Sequence, residues 1–164
     1  MNRKGFTLVE VLAVIIILGL VLVVASPYII NAYNSSKLKS EEIFTNRLSS
    51  VIDSYVKLNS DKIGFTADGT ANKDENETKY TVNISKGTIT INNIIDENLI
   101  TREDFVNAGN KEIECNKNAQ VEIYKDSDYV YCYKLKKTSL NCLTEEYQNS
   151  ITGDYVIDTC IWSR

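Results

Sequence analysis

Histidine is absent from the 164 residues of this chain, which removes the most common general acid–base side chain and a common metal ligand. The sequence also lacks a G-x-S-x-G nucleophile motif and a glycine-rich phosphate-binding loop. Its acidic residues are scattered over predicted loops, where solvation is favoured over a paired acid–base role. We therefore predict that the chain is not an enzyme and that it holds no cofactor or metal ion.

Closely paired cysteines, which are typical of structural zinc sites, are also absent. The four cysteines are separated by 17, 10 and 18 residues and lie at Cys115, Cys132, Cys142 and Cys160. An even number of cysteines confined to the C-terminal half favours two disulfides. The spacing disfavours a zinc site built from all four thiolates. Free buried thiols stay open as the alternative for a cell that exports proteins without an oxidising machinery.

A strong positive charge is missing as well, because 18 basic residues face 22 acidic ones and the net charge is −4. This balance disfavours a broad nucleic-acid-binding face, although a local basic patch is compatible with it. The charged run 73–77 lacks the ordered D-x-[DN]-x-[DN]-G pattern of a calcium loop. We interpret this run as part of a solvated loop and predict no nucleic-acid partner.

One long apolar run is present, over the 20 residues from Phe6 to Ala25, directly after a short segment with Arg3 and Lys4. Its length allows a helix to cross the roughly 30 Å hydrocarbon core of a bilayer. The basic residues before it predict that the N-terminus stays inside and that the remainder lies outside. Glu10 is the single ionisable residue of the run. Because a carboxylate at membrane depth costs about 2.5–3.5 kcal/mol, it needs a partner, unless the run is an ordinary anchor with a stray glutamate.

The residues around this glutamate resemble the processing motif of the type IV pilins and of the related pseudopilins. The family's glycine before the cleavage point and its glutamate at the fifth position after it are both present in Lys4-Gly5-Phe6-Thr7-Leu8-Val9-Glu10. Pro27, the only proline of the chain, lies where the family has a helix-bending proline. The resemblance covers roughly the N-terminal third of the chain, and beyond it only the layout is similar.

The resemblance implies that a prepilin peptidase cleaves after Gly5 and that Phe6 becomes the N-methylated first residue of the mature chain. Loss of Arg3 and Lys4 with the leader would change the net charge from −4 to −6. In such filaments, the carboxylate of Glu10 meets the free amine of a neighbouring subunit, and an opposite charge in a dry core offsets the cost of burial. The implied partners are other pilin subunits, the prepilin peptidase, the membrane, and the pilus assembly platform with its ATPase.

The implied function is that of a structural subunit, a major or minor pilin, of a surface filament that supports adhesion, twitching motility, DNA uptake or secretion. The subunit would reside in the cytoplasmic membrane with its C-terminal domain outside before assembly, and in an extracellular filament afterwards. A pseudopilin of a type II secretion or competence machine has the same N-terminal chemistry and stays open as a second interpretation. A monomeric membrane-anchored binding protein is the third.

Apolar residues continue at helical spacing beyond the apolar run to about Leu58. Charged residues lie mostly on the other face, at Lys37, Lys39, Glu41, Glu42, Arg47, Asp53 and Lys57. We predict one helix over 6–58, bent near Pro27, with a transmembrane and filament-core part at 6–25 and an amphipathic part that covers a sheet. The spacing drifts too far from heptads for a coiled coil. The predicted domains are a leader at 1–5, this helix, and a globular head at 59–164.

The head is predicted to be an antiparallel sheet of four or five strands, which makes the fold class α+β. Period-two alternation and turn residues indicate two hairpins and a last strand. The first predicted segments are a loop at 59–79 and a hairpin of strands 80–84 and 88–92 around the turn 85–87. A short helix or helix–turn over 94–107, ended by Gly109, follows. The last are a hairpin of strands 121–124 and 129–135 and a strand over 155–162.

Three of the ten tyrosines alternate along one predicted strand, at Tyr129, Tyr131 and Tyr133, and therefore share one face of the sheet. Such a stripe could present an aromatic surface to a sugar, a DNA strand or a host ligand. Packing of the rings on a helix, with the hydroxyls at the rim, is the favoured interpretation.

The register of the second hairpin predicts the disulfide pairing. A turn centred on residues 127–128 places position 123 opposite Cys132 and brings Cys115 close to Cys142 at the open end of the hairpin. A last strand beside this hairpin can bring Cys160 to Cys132 at the ~5.5–6 Å Cα separation that a bridge needs. We predict the pairs 115–142 and 132–160. The alternative pairs, 115–132 and 142–160, require the segment before position 121 to fold back over the hairpin.

Overall fold

A computed structural model describes residues 7–75, 78–108 and 111–162 of the chain. Two compact units are present, Met1–Lys39 and Ser40–Arg164, and the boundary between them falls inside the first helix. The predicted leader and the predicted helix end at Gly109 lie outside the described residues.

The first helix, α1, extends over Leu8–Asn59, which confirms the prediction of one long N-terminal helix. Within the second unit its buried residues follow helical spacing, as expected for one face packed on a core: Glu41, Thr45, Leu48, Ile52, Tyr55, Val56 and Asn59. Glu41 was assigned to the solvent face by its charge, and this assignment is wrong because its position in the periodic pattern places it inside. In the first unit, by contrast, every residue from Thr7 to Val24 is exposed.

The second unit contains a five-stranded antiparallel sheet in the order β1-β2-β3-β4-β5, so the predicted α+β class is confirmed. The strands are β1 at Thr66–Glu75, β2 at Thr78–Thr90, β3 at Gln120–Asp126, β4 at Tyr131–Lys136 and β5 at Tyr155–Asp158. The predicted second hairpin is correct, with Cys132 opposite Tyr124 and thus one residue from the predicted register. The last strand is shorter than predicted and pairs with β4.

The predicted first hairpin is wrong, since β2 continues straight through the proposed turn at 85–87. Its partner is β1, which lies in the segment predicted to be a loop and covers the first part of the charged run. Gly87 is needed for close packing and not for a turn, because a Cβ there would lie 2.5 Å from Ile63 Cγ2. A bulge between Ala67 and Gly69, where φ is +101° at the glycine, shifts the register of this pair.

The segment 94–107, predicted as a short helix or a helix–turn, is a short helix followed by turns, and the helix begins earlier than predicted. The structure has α2 at Ile91–Asp96, which ends where Asn98 adopts a left-handed φ of 57°. Asn98 N–H donates to the Ile95 carbonyl and Leu99 N–H donates to the Ile94 carbonyl, the hydrogen-bond pattern of a Schellman C-cap. The apolar spacing beyond this point reflects a packed loop, in which Phe105 is fully buried.

The two faces of the sheet have different roles. The inner face carries Ile89, Val121, Ile123 and Leu135, which are buried together with Leu48 and Ile52 of α1. Alternate positions of the same strands form an outer face with its own smaller apolar cluster. Between β4 and β5 the chain adds a 3₁₀ helix at Lys137–Ser139 and the short helix α3 at Glu145–Ser150, neither of which was predicted.

Candidate assembly and anchoring site

Glu10 lies in the first turn of α1 and makes reciprocal hydrogen bonds with Thr7, the residue before the helix. Thr7 N–H and Thr7 Oγ1 both donate to Glu10 Oε2, at 3.0 and 2.9 Å, and Glu10 N–H donates to Thr7 Oγ1 at 3.3 Å. This arrangement is a capping box, in which each side chain satisfies a backbone donor of the first turn. Sequence reasoning missed it, although the pattern T-x-x-E before an apolar run is its signal.

The capping box affects how the carboxylate of Glu10 is stabilised within a single subunit. The positive end of the helix dipole and the two Thr7 donors favour a negative charge at this position. The sequence contains no basic residue between Thr7 and Ser36, so this part of the chain provides no ion pair of its own. Full neutralisation of the charge therefore requires a cation from elsewhere.

The other predicted N-terminal sites are only partly covered by the structure. Gly5 and Phe6, the predicted cleavage and methylation positions, lie outside the described residues. Pro27 lies inside α1, which continues past it, and the preceding Ser26 Oγ donates to the Leu22 carbonyl at 2.6 Å. The bend predicted near Pro27 stays a prediction.

The apolar surface of the first unit is continuous. Among the residues that the structure describes, α1 alone is long and apolar enough to cross a membrane by length and composition. Its large side chains are at least half exposed over nearly all of this part, for example Leu20 at 64% and Val23 at 75%. This surface needs either lipid or other helices to cover it.

Two disulfides cross-link segments of the head. They join Cys115 to Cys142 and Cys132 to Cys160, with Cα–Cα separations of 4.9 and 5.0 Å, inside the range of unstrained bridges. These are the two pairs that follow from the hairpin register. The first bridge fastens the loop before β3 to the loop before α3, and the second fastens the segment after β5 to the outer face.

A buried polar network that sequence reasoning missed connects α1 to these loops. The carboxylate of Glu41, which has no exposed surface, accepts hydrogen bonds from Thr144 N–H at 3.1 Å, Thr144 Oγ1 at 2.7 Å and Asn107 Nδ2 at 3.3 Å. Thr144 also caps α3 by accepting a hydrogen bond from Tyr147 N–H at 3.3 Å. Among the described residues no basic side chain pairs with Glu41, so hydrogen bonds alone satisfy it.

A second buried carboxylate, Asp126, organises the turn between β3 and β4. Its Oδ1 accepts hydrogen bonds from Asp128 N–H at 2.9 Å and Val130 N–H at 2.8 Å, while Oδ2 pairs with Lys73 of β1. Both side chains are largely buried, with 12% of Lys73 and none of Asp126 exposed. The hydrogen bond to Asp126 raises the pKa of Lys73 above its ordinary value, although burial opposes the shift.

The predicted tyrosine stripe is mainly a packing surface. Tyr133 donates its hydroxyl proton to the Ser49 carbonyl at 3.1 Å, and the Tyr131 ring lies 6.0 Å from that of Phe65. Tyr129, at the turn, is 72% exposed and differs from the other two. The favoured interpretation, packing on the helix, is therefore confirmed for Tyr133, whereas Tyr131 packs on a ring of the loop between α1 and β1.

Comparison with known proteins adds one finding, which concerns the N-terminal segment. Residues 1–26 match the family described as "Prokaryotic N-terminal methylation motif". No curated protein and no solved structure matches the chain. The matched range includes Gly5, Phe6 and Glu10 and ends just before Pro27. The chain thus carries a prokaryotic N-terminal methylation motif, which supports the resemblance to the class III signal of type IV pilins and pseudopilins, at the start of the long helix of an α+β protein.

Proposed function

We propose that this protein is a structural subunit of a type IV pilus filament, held in the cytoplasmic membrane before assembly. The observation that carries the proposal is the exposed apolar first half of α1 with a single carboxylate at its N-terminal end. The methylation motif supports a pilin-like or pseudopilin protein. A filament subunit uses both features, because its apolar helix is covered by lipid before assembly and by the helices of neighbouring subunits afterwards.

The energetics of Glu10 favour assembly over a solitary anchor. Within lipid, the capping box reduces the cost of the carboxylate without supplying an opposite charge. Next to a neighbouring subunit, the free amine of a processed Phe6 would supply that charge in a water-excluded environment. Association of apolar helices gains little from the hydrophobic effect once they are in lipid, so such a polar pair can direct packing.

The head is proposed to lie outside the cytoplasm. Arg3 and Lys4 precede the apolar helix, which favours an inside position for the N-terminus. Both disulfides lie in the second unit, and disulfides persist in oxidising compartments. The proposed partners are other pilin subunits, a prepilin peptidase, and an assembly platform with its ATPase. The proposed role of the protein is structural and not enzymatic.

Electron microscopy of sheared surface material tests the proposal, using cells with and without the gene and an antibody against the head. We expect labelled filaments from wild-type cells and none after deletion or with Glu10→Val. Subunits labelled only at a filament tip would indicate a minor pilin. Protein that stays in the membrane of filament-free cells and extracts as a monomer in detergent would contradict the proposal and favour a membrane-anchored binding protein.

A further inference from the structure

The outer face of the sheet carries an apolar cluster that α1 does not cover. Its buried members are Ala71, Val82, Ile84, Tyr124 and Cys132, with Tyr80, Cys160 and Trp162 packed against them. The disulfide between Cys132 and Cys160 fixes the segment after β5 across this face. Trp162 is thereby placed with its indole N–H donating to Cys132 Sγ at 2.8 Å.

A β-bulge adds a further aromatic ring to this face. Lys134 pairs with Asp158 and Leu135 with Ile157, but the next pair is Lys136 with Tyr155, so the register shifts by one residue. Without this shift, Tyr155 would point to the inner face together with Ile157, since a one-residue slip exchanges the two faces. With it, the Tyr155 ring lies on the outer face, 5.1 Å from Lys134 Nζ.

These residues enclose a cleft of about 260 Å³. Three aromatic side chains line it, Tyr124, Tyr155 and Trp162, together with the small apolar surface of Ala71 and Ile84. Among the described residues, Lys134 is the one charged residue of the lining. A concave site of this kind, largely aromatic with a few polar groups, is typical of small-ligand recognition.

The charged side chains around the cleft pair with one another, which favours a neutral ligand over a charged one. Lys134 Nζ donates to Asp158 Oδ2 at 2.9 Å, and Lys86 Nζ donates to Glu122 Oε1 at 2.8 Å. Glu122 Oε2 also accepts the hydroxyl proton of Tyr124 at 2.9 Å. The Tyr155 hydroxyl has no hydrogen-bond partner in the described part of the chain, and Lys134 uses one of its three donors on Asp158. The described residues of the site therefore offer hydrogen bonds without a net charge.

We propose that this cleft binds one neutral pyranose ring of a glycan. The C–H face of a pyranose is apolar and stacks on aromatic rings, which Trp162 and Tyr155 provide. Its vicinal hydroxyls both donate and accept, and they match the adjacent ammonium of Lys134 and carboxylate of Asp158. The cleft volume suits a single ring, and the paired charges disfavour the polyanionic backbone of a nucleic acid. This site lies wholly in the head and does not depend on filament assembly.

Trp162 is the only tryptophan of the chain, so its fluorescence reports directly on the cleft. The full chain is purified in a zwitterionic detergent without sugar head groups and titrated with the methyl β-glycosides of glucose, galactose, N-acetylglucosamine and N-acetylgalactosamine. We expect a saturable change in emission with at least one of them. Tyr155→Ala and Lys134→Met should each weaken that binding about tenfold or more, since each removes one side of the contact.

Tyr129→Ala is the matched control, because this tyrosine is exposed at the β3–β4 turn and does not line the cleft. It should bind the same glycoside with unchanged affinity. Both cleft variants should keep the far-ultraviolet circular dichroism and the cooperative denaturant unfolding of the wild type, which shows that the head is folded. No saturable response to any of the four glycosides, an equal response in all three variants, or a response only to an oligothymidylate or a proline-rich peptide would overturn the proposal.

Discussion

Three carboxylates, Glu10, Glu41 and Asp126, are each satisfied in a different way. The carboxylate of Glu10 accepts hydrogen bonds from Thr7 in the N-terminal turn of its own helix. That of Glu41 is buried and accepts hydrogen bonds only. That of Asp126 accepts two backbone hydrogen bonds and pairs with Lys73. A buried carboxylate is stable only when its oxygens are occupied. For Glu41 and Asp126 the partners lie within the head, whereas the partner proposed for Glu10 belongs to another subunit.

Two substitutions at Glu10 separate capping from charge pairing. Glutamine at the third helical position preserves a capping box, whereas valine removes it. If the charge pairs with a neighbouring amine, Glu10→Gln and Glu10→Val should both reduce filament yield strongly, since breaking a buried pair costs about 3–5 kcal/mol. Filaments are counted by electron microscopy and subunits by immunoblot of membranes. Normal filaments from Glu10→Gln would show that the carboxylate serves the helix and not assembly.

Lys73→Met leaves the buried Asp126 without its cation. Because Asp126 retains two backbone hydrogen bonds, we expect the free energy of unfolding to fall by about 3 kcal/mol, at the lower end for a broken buried pair. It is measured by denaturant unfolding of the full chain in detergent, followed by Trp162 emission. Lys57→Met is the control, since the Lys57–Asp53 pair is exposed, at 71% and 43%, and should contribute little to stability because solvent screens it.

The difference in unfolding free energy between wild type and Lys73→Met should depend on pH. The folded-state pKa of Lys73 is raised above its ordinary value of 10.5 by the hydrogen bond to Asp126. A raised pKa contributes stability that is fully present below the unfolded-state value and is lost as the pH rises through the folded-state value. The difference between wild type and Lys73→Met should therefore be constant near neutral pH and shrink above pH 10.5. A difference that grows with alkaline pH would contradict the pairing.

At the scale of elements, the two disulfides have nearly equal loop lengths, with sequence separations of 27 and 28 residues. Chain entropy therefore predicts a similar stabilisation from each, about 2–4 kcal/mol. Their local roles differ because, of the two bridges, only that from Cys132 to Cys160 lies in the segment that carries Trp162. Removing it should expose Trp162, while removing the other should leave Trp162 in place.

Paired replacements test this difference. Cys132→Ser with Cys160→Ser should shift the Trp162 emission to longer wavelength, and Cys115→Ser with Cys142→Ser should not. Non-reducing peptide mapping of the wild type should recover the pairs 115–142 and 132–160. A fragment that joins Cys115 to Cys132, or four thiols that react with an alkylating reagent, would contradict the connectivity.

At the scale of the whole molecule, processing links the N-terminal segment to the filament. Gly5→Val should leave the precursor uncut in the membrane, because a branched side chain does not fit a peptidase site built around glycine. Mass spectrometry of wild-type surface material should show loss of Met1 to Gly5 and one added methyl group on Phe6. Gly19→Ala is the control, since a Cβ at Gly19 contacts nothing within 4 Å and should permit normal cleavage. Intact Met1 in filaments would contradict processing.

The sequence by itself determined the features that depend on nearby residues. The processing motif lies within a few positions, and the periodicity of α1 and the β3–β4 hairpin repeat over short distances, so no distant partner is needed to predict them. The disulfide pairing follows from that hairpin plus one added strand. In the candidate site, Glu10 stands out because it is the single ionisable residue of the apolar run, whereas the role of Pro27 rests on the resemblance and stays a prediction.

Only the tertiary structure decided which face or partner a residue meets. Gly87 looks like a turn glycine until Ile63 is packed against it, and Glu41 looks solvated until Thr144, 103 residues away, reaches its carboxylate. β1 has too few apolar residues to be predicted as a strand, and it forms by pairing with β2. Tyr155 reaches the outer face only through a one-residue bulge. Local patterns specify elements, but burial depends on contacts that the chain makes across its whole length, and those contacts are absent from any short stretch of sequence.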